Sequence, residues 1–432
     1  MRHINKLLTH SLAYLIAGGS IGSIRKRLSC IVSPSIAASL QPETDEESKK
    51  RDSQIDREMM AQNTRKVEDF AVNIAALPAH DIPQVTLSDE AFNSIRFICN
   101  GTFSHVYTAM MKSSVLDEQT FQLLIENAKT KASCLGDVLC GRIPPSQDEV
   151  CVFVKKIKNE CFVNLRSVQD FEAEMKILQS LKHPHIVSIV GHGYDKDAHT
   201  HEKIIGSQDN KPFQLPLFQE EGPLRPFLVI EALGGDTLHK YLSRKRPFHS
   251  VPFRLEHLLS LSKQFADALK YIHYELPGVT IIHRDLKPDN VGFTSSGTLK
   301  LLDFGLSIAI KRGDAGDDNP PYKMTGLTGS MRYMAPEVGL SNPYTEKCDV
   351  YSFALILYEM ATGVQPYGGM SKRAFTAQVF KGGKRPPIDM DDFGRRVKLP
   401  DDVKQLVTKC WEDVPSKRLS SKEICNFFSA RK

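Results

Sequence analysis

Residues Ile282–Asn290 have the sequence IHRDLKPDN, a dense run of charged and polar side chains. The triplet Asp303-Phe304-Gly305 begins thirteen residues after Asn290, and Ala335-Pro336-Glu337 follows further along the chain. Apolar residues flank the first run on both sides, which predicts a loop that is held by a core rather than a surface loop with scattered polar residues. Three motifs in a fixed order are also far more specific than any one of them alone.

These motifs resemble the catalytic loop, the metal-binding triplet and the end of the activation segment of the eukaryotic protein kinase superfamily. The resemblance covers about residues 92–430. It implies an α+β, two-lobed protein kinase fold, with a β-rich N-lobe that contains one main helix and a helical C-lobe. It also implies that the chain transfers the γ-phosphate of ATP to protein hydroxyl groups, with Mg²⁺ as the metal ion.

The segment Lys287-Pro288-Asp289 is similar to that of serine/threonine kinases, and Ser330 stands where those kinases generally place a threonine that touches the catalytic loop. The stretches DVYSFALILYEM and CWEDVPSKR resemble the tyrosine-kinase-like branch, whose members are largely serine/threonine-specific. The resemblance therefore predicts a serine/threonine protein kinase with protein substrates.

The resemblance assigns a chemical role to four residues of these motifs. Asp285 would orient the acceptor hydroxyl and take its proton. Asn290 and Asp303 would each hold a Mg²⁺ ion, because oxygen atoms are the ligands that this ion prefers. Lys287 would offset charge on the transferred phosphoryl group.

The family also requires a β-strand lysine for the α- and β-phosphates, and two lysines compete for this role. Lys155 and Lys156 are adjacent, so strand alternation places them on opposite faces. The family register, in which the lysine ends the motif V-A-I-K, favours Lys155.

The partner of this lysine is expected on the following helix, predicted over about 167–182. Asp170, Glu172 and Glu174 are the candidates. Glu174 falls within the apolar arc of the helix and Glu172 falls outside it, and a charge on an apolar face is unusual unless it is paired. Glu174 is therefore the predicted partner.

Two segments supply the other nucleotide contacts that the resemblance implies. The glycine-rich loop corresponds to Cys99–Val106, where only the middle glycine of the family pattern is kept, and Phe153 replaces the usual alanine near the adenine ring. These departures are expected to change the affinity for ATP rather than the use of ATP as the substrate.

Residues 228–235, which we call the hinge, resemble the segment between the two lobes. The predicted ATP-binding residues are Cys99, Asn100, Gly101, Thr102, Phe103, Ser104, Val106, Phe153, Lys155, Ile230, Glu231, Leu233 and Asp236.

Within the hinge, Ile230 takes the gatekeeper position. Backbone groups of Glu231 and Leu233 would bind the adenine edge, and Asp236 would bind the ribose hydroxyls. Elsewhere, Asp349 resembles the buried acid that anchors the catalytic loop.

The arginine that precedes the catalytic aspartate suggests regulation. Kinases with such an arginine commonly use it to bind a phosphorylated residue of the activation segment. For Arg284 the best acceptors are Thr325 and Thr328, with Tyr322 as a weaker candidate, and an upstream activating kinase is an expected partner. The alternative is that Arg284 only bonds nearby backbone carbonyls.

The chain has 432 residues, a net charge of +5, 41% hydrophobic residues and 25% charged residues, which are ordinary values for a globular protein. All of the net charge comes from residues 1–40, so a broad basic surface for nucleic acid is not expected. No apolar run is long enough to predict a membrane span. The nine cysteines include no C-x-x-C pair, and their spacing predicts neither a disulfide framework nor a zinc site.

We therefore predict a basic leader at 1–40, a charged linker at 41–90 and a kinase domain at 91–430. The N-lobe is expected at about 91–230 and the C-lobe at about 236–430, with insertions at 113–148 and 195–225, the first of which has a short helix around Phe121–Asn127. The leader is either an organelle transit peptide or a disordered tail, so a cytoplasmic location has organelle import as its alternative. A pseudokinase that binds nucleotide or partners without transfer is the alternative to an active enzyme.

Overall fold

The computed structural model describes residues 77–78, 80, 82–85, 91–101, 104–128, 148–162, 165–196, 218–219, 222–245, 253–312, 321–388 and 399–431. The leader, most of the linker, and Thr102 and Phe103 of the glycine-rich loop lie outside these residues. The strands are β1 Phe92–Asn100, β2 Ser104–Lys112, β3 Glu149–Ile157, β4 Ile189–Lys196, β5 Phe218–Gln219, β6 Gly222–Glu231, β7 Val279–Ile282, β8 Val291–Phe293, β9 Leu299–Leu301 and β10 Ile308–Lys311. The helices are α1 Glu118–Ala128, α2 Asn159–Phe162, α3 Leu165–Ser180, α4 Leu238–Lys245, α5 Leu255–Lys270, α6 Pro336–Gly339, α7 Lys347–Thr362, α8 Lys372–Phe375, α9 Asp401–Cys410 and α10 Ser421–Ser429.

The N-lobe is built on one antiparallel sheet with the strand order β1-β2-β3-β6-β4, and β5 pairs with β6. Strand β3 has an alternating pattern because its two faces meet different surroundings. Val150, Val152 and Val154 are buried in the N-lobe core, whereas Phe153 and Lys155 line a cavity on the opposite face. The sheet thus directs one side of β3 into the core and the other into the cavity.

The first insertion contains the helix α1. Asp117 precedes it and caps its first turn, accepting hydrogen bonds from the backbone N–H of Thr120 at 2.9 Å and from its hydroxyl at 2.6 Å. These bonds lower the pKa of the Asp117 carboxyl. Phe121 and Leu124 are buried in the N-lobe core, so α1 packs firmly against the sheet.

A short segment of the predicted linker also packs on the N-lobe. The backbone N–H of Val85 donates to His192 O of β4 at 2.8 Å, and Val85 is only 4% exposed. Gly193 allows this approach, because a Cβ there would lie 2.1 Å from Val85 O. Residues 82–85, which we call the strap, therefore lie along β4, the edge strand of the sheet.

The C-lobe is helical around α5 and α7. Helix α7 is apolar on nearly all sides and almost all of its residues are buried, as expected for a central helix. Phe265 of α5 packs edge to face with Phe353 of α7 at 5.1 Å between ring centroids. Strand β7 ends directly before residues 283–290 and β8 begins directly after them, and these strands pair with β10 and β9 respectively. The chain thus has the predicted α+β, two-lobed fold.

Two further expectations concern the described residues. None of the helices that the structure describes combines the length and the apolar character that a membrane crossing requires. Cys99, Cys161, Cys348, Cys410 and Cys425 are free, whereas Cys151 is disulfide-bonded, so the expectation of no disulfide is wrong at Cys151. Sequence spacing failed there because a disulfide depends on spatial proximity rather than on distance along the chain.

Candidate active site

A cavity of about 760 Å³ brings together most of the residues that the sequence selects. Those that line it are Cys99, Gly101, Ser104, Val106, Phe153, Lys155, Glu174, Ile230, Glu231, Leu233, Asp236, Asp285, Lys287, Asn290, Asp303 and Thr328. They come from the β1–β2 turn, β3, α3, the hinge, the catalytic loop, the D-F-G triplet and the activation segment. Residues far apart in sequence therefore share one site of a size that suits a nucleotide-sized ligand.

Lys155 joins strand, helix and C-lobe in this cavity. Its Nζ lies 2.6 Å from Glu174 Oε1 and 2.9 Å from Asp303 Oδ1. Burial alone would lower the pKa of Lys155, but the carboxylates of Asp303 and Glu174 outweigh it and raise the pKa. The ammonium of Lys155 in turn lowers the pKa of Asp303 to about 2, and burial raises the pKa of Glu174. Lys155 therefore stays charged, and Asp303 stays ionised at neutral pH.

Among the alternatives to this pair, Asp170 lines the same cavity, whereas Lys156 and Glu172 do not. Lys156 forms an ion pair with Asp195 at the end of β4. Glu172 lies on the same helix as Glu174, and burial raises its pKa while Lys176 lowers it. Strand alternation thus separates the two lysines as expected, and only Lys155 faces the D-F-G triplet.

Asp285 is held by three donors. Its Oδ2 accepts from Lys287 Nζ at 2.7 Å and from Asn290 Nδ2 at 3.2 Å, and its Oδ1 accepts from the backbone N–H of Ser330 at 2.8 Å. Gly329 permits this approach, since its φ is +95° and a Cβ there would lie 2.3 Å from Arg284 O. Ser330 thus touches the catalytic loop through its backbone.

The backbone of the catalytic loop is fixed by the buried Asp349. This carboxylate accepts from His283 N at 2.7 Å and from Arg284 N at 2.9 Å. Burial would raise its pKa, but the hydrogen bond from His273 and the two nearby histidines keep the pKa lowered. Arg284 has a φ of +66°, an unfavourable conformation for an arginine, which these bonds hold in place.

One backbone hydrogen bond joins the two described sides of the glycine-rich loop. Gly101 N donates to Ser104 O at 2.8 Å, and Ser104 is buried. The structure does not bring Asn100 into the cavity lining, because its Oδ1 bonds His105 Nδ1 at 2.7 Å across β1 and β2. The side chain of Asn100 is thus used in a bond to the neighbouring strand, and it is not placed to contact a nucleotide in the cavity.

One backbone group of the hinge is already used within the protein. The N–H of Glu231 donates to Ser188 O at 3.0 Å, so it is not available to a ligand.

Leu302 is a lining residue that the sequence analysis missed. A Cβ on Gly292 would lie within 2.9 Å of side-chain atoms of both Leu233 and Leu302, so these two leucines pack closely over this glycine. Leu302 directly precedes Asp303 in the sequence, and this position is the signal that could have identified it as a lining residue.

Arg284 reaches the activation segment. Its Nη1 lies 3.1 Å from Thr325 Oγ1 and 3.3 Å from the hydroxyl of Tyr344, while its Nε donates to Leu306 O at 2.6 Å. Thr328 Oγ1 donates to Thr325 Oγ1 at 3.0 Å. Thr325 thus contacts Arg284 directly and Thr328 contacts Thr325, while Arg284 also makes the backbone contact that the alternative expects.

Comparison with known proteins gives one family match. The model described as "Protein kinase domain" matches residues 140–427, which is more than half of the chain. The chain is 36% identical to "Serine/threonine-protein kinase VIK" of Arabidopsis thaliana over 63% of this chain and 53% of that protein. It is 33% identical to "Mitogen-activated protein kinase kinase kinase 7" of Drosophila melanogaster, over 59% of this chain and 31% of that protein. It is 32% identical to "Serine/threonine-protein kinase 12" of Arabidopsis thaliana, over 63% of this chain and 50% of that protein. The chain therefore spans about half, or less, of the length of these relatives.

Proposed function

The chain belongs to the protein kinase family, and on this basis we propose that it is a serine/threonine protein kinase that transfers the γ-phosphate of ATP to hydroxyl groups of protein substrates. The observation that carries the proposal is the contact of Lys155 with both Glu174 and Asp303 in the cavity that also contains Asp285. These contacts support the proposal because phosphoryl transfer requires a lysine for the phosphates, a metal-binding acid and a base in one site.

Four residues of the cavity have separate proposed roles in the transfer. Asp285 accepts the proton of the substrate hydroxyl and orients its oxygen. Lys287 Nζ lies 2.7 Å from Asp285 Oδ2, so its positive charge can stabilise a phosphoryl group beside that carboxylate. Lys155 binds nucleotide phosphates, and Glu174 keeps its ammonium directed into the cavity.

The residues present fit Mg²⁺. Asp303 is about half exposed (49%) and remains ionised because its pKa is lowered to about 2. Asn290 uses its amide nitrogen to bond Asp285 O at 2.8 Å, which leaves its amide oxygen as the ligand atom. When bound, Mg²⁺ would offset the negative charge of the phosphates. We propose Asp303 and Asn290 as its protein ligands.

Serine and threonine are the proposed acceptors. The names of the relatives VIK and kinase 12 describe serine/threonine kinases. Lys287, two residues after Asp285, is also typical of this class, and its bond to Asp285 supports the same role.

Activation-segment phosphorylation is the proposed control, and an upstream kinase is its proposed partner. The support is the 3.1 Å contact of Arg284 with the Thr325 hydroxyl. A phosphate on Thr325 would gain charge-assisted bonds from this guanidinium and would order the segment.

A transfer assay tests the proposal. The full chain would be incubated with Mg²⁺, γ-labelled ATP and a general protein acceptor, and the labelled amino acids would then be identified. Phosphoserine and phosphothreonine are the expected products. Predominant phosphotyrosine would contradict the acceptor class. Nucleotide binding without any transfer would instead support the pseudokinase alternative.

We also propose a cytoplasmic location, because most kinases of this class act in the cytosol. A fluorescent fusion of residues 1–40 tests it. Diffuse cytosolic signal is expected, and accumulation in an organelle would show that these residues act as a transit peptide.

A further inference from the structure

Helix α1 of the first insertion ends against the hinge. The last carbonyls of a helix have no partner within the helix and need one outside. Here Asn127 O accepts from the N–H of Gly234 at 2.9 Å, and Glu126 O accepts from the Ser295 hydroxyl at 2.9 Å. The end of α1 is therefore joined both to the hinge and to the β8–β9 turn of the C-lobe.

The side chain of Asn127 adds a second contact with the hinge. Its Nδ2 donates to Glu231 Oε2 at 2.6 Å. Asn127 is 8% exposed and Glu231 is 1% exposed, so this bond lies in the interior. Two residues of the hinge, Glu231 and Gly234, are thus held by one residue of the insertion.

Glu231 connects the two lobes through the same carboxylate. Its Oε1 accepts from the backbone N–H of Ser188 at 2.7 Å in the N-lobe and from Lys300 Nζ at 2.6 Å on β9 of the C-lobe. Asn127 supplies the donor for the remaining oxygen. A buried carboxylate that loses one of its donors carries a large penalty, so its position depends on all three.

These contacts bear on the nucleotide site because the hinge lines the cavity. Glu231, Gly234 and Gly235 are all lining residues, whereas Asn127 is not. On the C-lobe side, Gly235 N donates to Phe293 O at 3.0 Å, and a Cβ at this glycine would lie 2.6 Å from that oxygen. The hinge is therefore fixed closely on one side by the C-lobe and on another by α1.

We propose that Asn127 is a positioning residue for nucleotide binding, and that helix α1 is thereby a working part of the nucleotide site. The proposal rests on the proposed kinase function, since that function supplies the nucleotide. Asn127 touches no ligand itself. It sets the backbone of Glu231 and Gly234 before the nucleotide arrives, and a preformed site binds more tightly than one that must be ordered.

The test compares two amide-to-carboxylate substitutions on α1 in the full chain. Asn127→Asp places a second carboxylate against that of Glu231, and the repulsion between them should displace the hinge. Gln122→Glu makes the same chemical change on the exposed face of α1 and is the matched control. The Kd for ADP is measured by calorimetry, and the KM for ATP and for a peptide acceptor are measured separately.

We expect Asn127→Asp to raise the Kd for ADP and the KM for ATP about tenfold, the scale of one lost hydrogen bond to a charged group. The KM for the peptide and the values of the control should stay within about twofold of wild type. If Asn127→Asp does not accumulate as folded protein, Asn127→Ala removes the donor without adding charge and should raise the Kd about threefold or more.

A double substitution tests the pair itself. In Asn127→Asp with Glu231→Gln, the new amide donates to the new carboxylate, and its oxygen still accepts from Ser188 and Lys300. The Kd for ADP should return to within about threefold of wild type. A purely structural role would lower the melting temperature but would not move the Kd of the folded protein or show this rescue.

The outcomes separate this inference from the proposed function. A wild-type Kd for ADP in folded Asn127→Asp, or no recovery in the double variant, would overturn the inference. Because the Kd is measured without transfer, a chain that binds ADP and transfers no phosphate would contradict only the proposed function.

Discussion

Lys155 Nζ lies 2.6 Å from Glu174 Oε1, and this bond joins strand β3 to helix α3. The same ammonium lies 2.9 Å from Asp303 of the C-lobe. One side chain therefore links the sheet and the helix of the N-lobe to the D-F-G triplet. Because both carboxylates are oriented by Lys155, the loss of either partner should be visible in the transfer rate.

Glu174→Gln should lower kcat about tenfold or more, because Lys155 would lose one charge-assisted hydrogen bond and part of its orientation. Glu172→Gln is the matched control, since it makes the same change on the same helix. Steady-state kinetics with a peptide acceptor measure the effect. Equal losses in the two variants would show that Glu174 has no special role.

The fold and the centre of the site could be predicted because local patterns carry them. The motifs around Asp285 and Asp303 fix the family, and the apolar arc of α3 selects Glu174 without any coordinates. The bond from Asn127 to Glu231 could not be predicted, since these residues are 104 positions apart and each looks like an ordinary polar side chain. The packing of α1 on the sheet brings them together.

The strap shows a different limit. Val85 lies two residues after Pro83, within the predicted charged linker at 41–90. The relevant signal lies instead on β4, where Gly191 and Gly193 leave room for another chain segment. A glycine within a strand often marks such a close approach, but it does not identify which segment approaches.

Truncation and substitution of the strap test its role. A chain that starts at residue 67 should keep wild-type activity, because it retains Val85 and its pairing with β4. Val85→Ala in the full chain should lower the free energy of unfolding by about 1–3 kcal/mol through the cavity that it leaves. Chemical denaturation measures this, with the exposed Gln84→Ala as control. No difference between the two variants would mean that the strap is dispensable.

Phosphorylation of Thr325 should activate the enzyme. Phosphatase treatment of the wild type should lower activity about tenfold, because Arg284 would lose its charge-assisted bonds to the phosphate. Thr325→Ala should have low activity with or without phosphatase, Thr328→Ala should have a smaller effect, and Tyr322→Phe serves as the control. Unchanged activity of the wild type after phosphatase treatment would make Arg284 a structural residue.

Cysteine labelling should report occupancy of the cavity. Cys99 is exposed and lines the cavity, whereas burial raises the pKa of the Cys348 and Cys410 thiols and keeps them unreactive. Among the free cysteines that the structure describes, iodoacetamide at pH 8 should therefore label Cys99 first, and ADP should slow that labelling. Peptide mass spectrometry gives the order of modification. Labelling of Cys99 that ADP leaves unchanged would show that the first position of the glycine-rich loop lies away from the nucleotide.

Transfer from ATP by the full chain with Asp303→Asn tests the central claim most directly. Asp289→Asn removes the same charge from the neighbouring catalytic loop and is the matched control, and Asp285→Asn removes the proposed base. We expect Asp303→Asn and Asp285→Asn each to lower kcat at least about 100-fold, as loss of a charge stabiliser or a general base does, while the control stays near wild type. Wild-type turnover by Asp303→Asn on a peptide acceptor would contradict the proposed kinase mechanism.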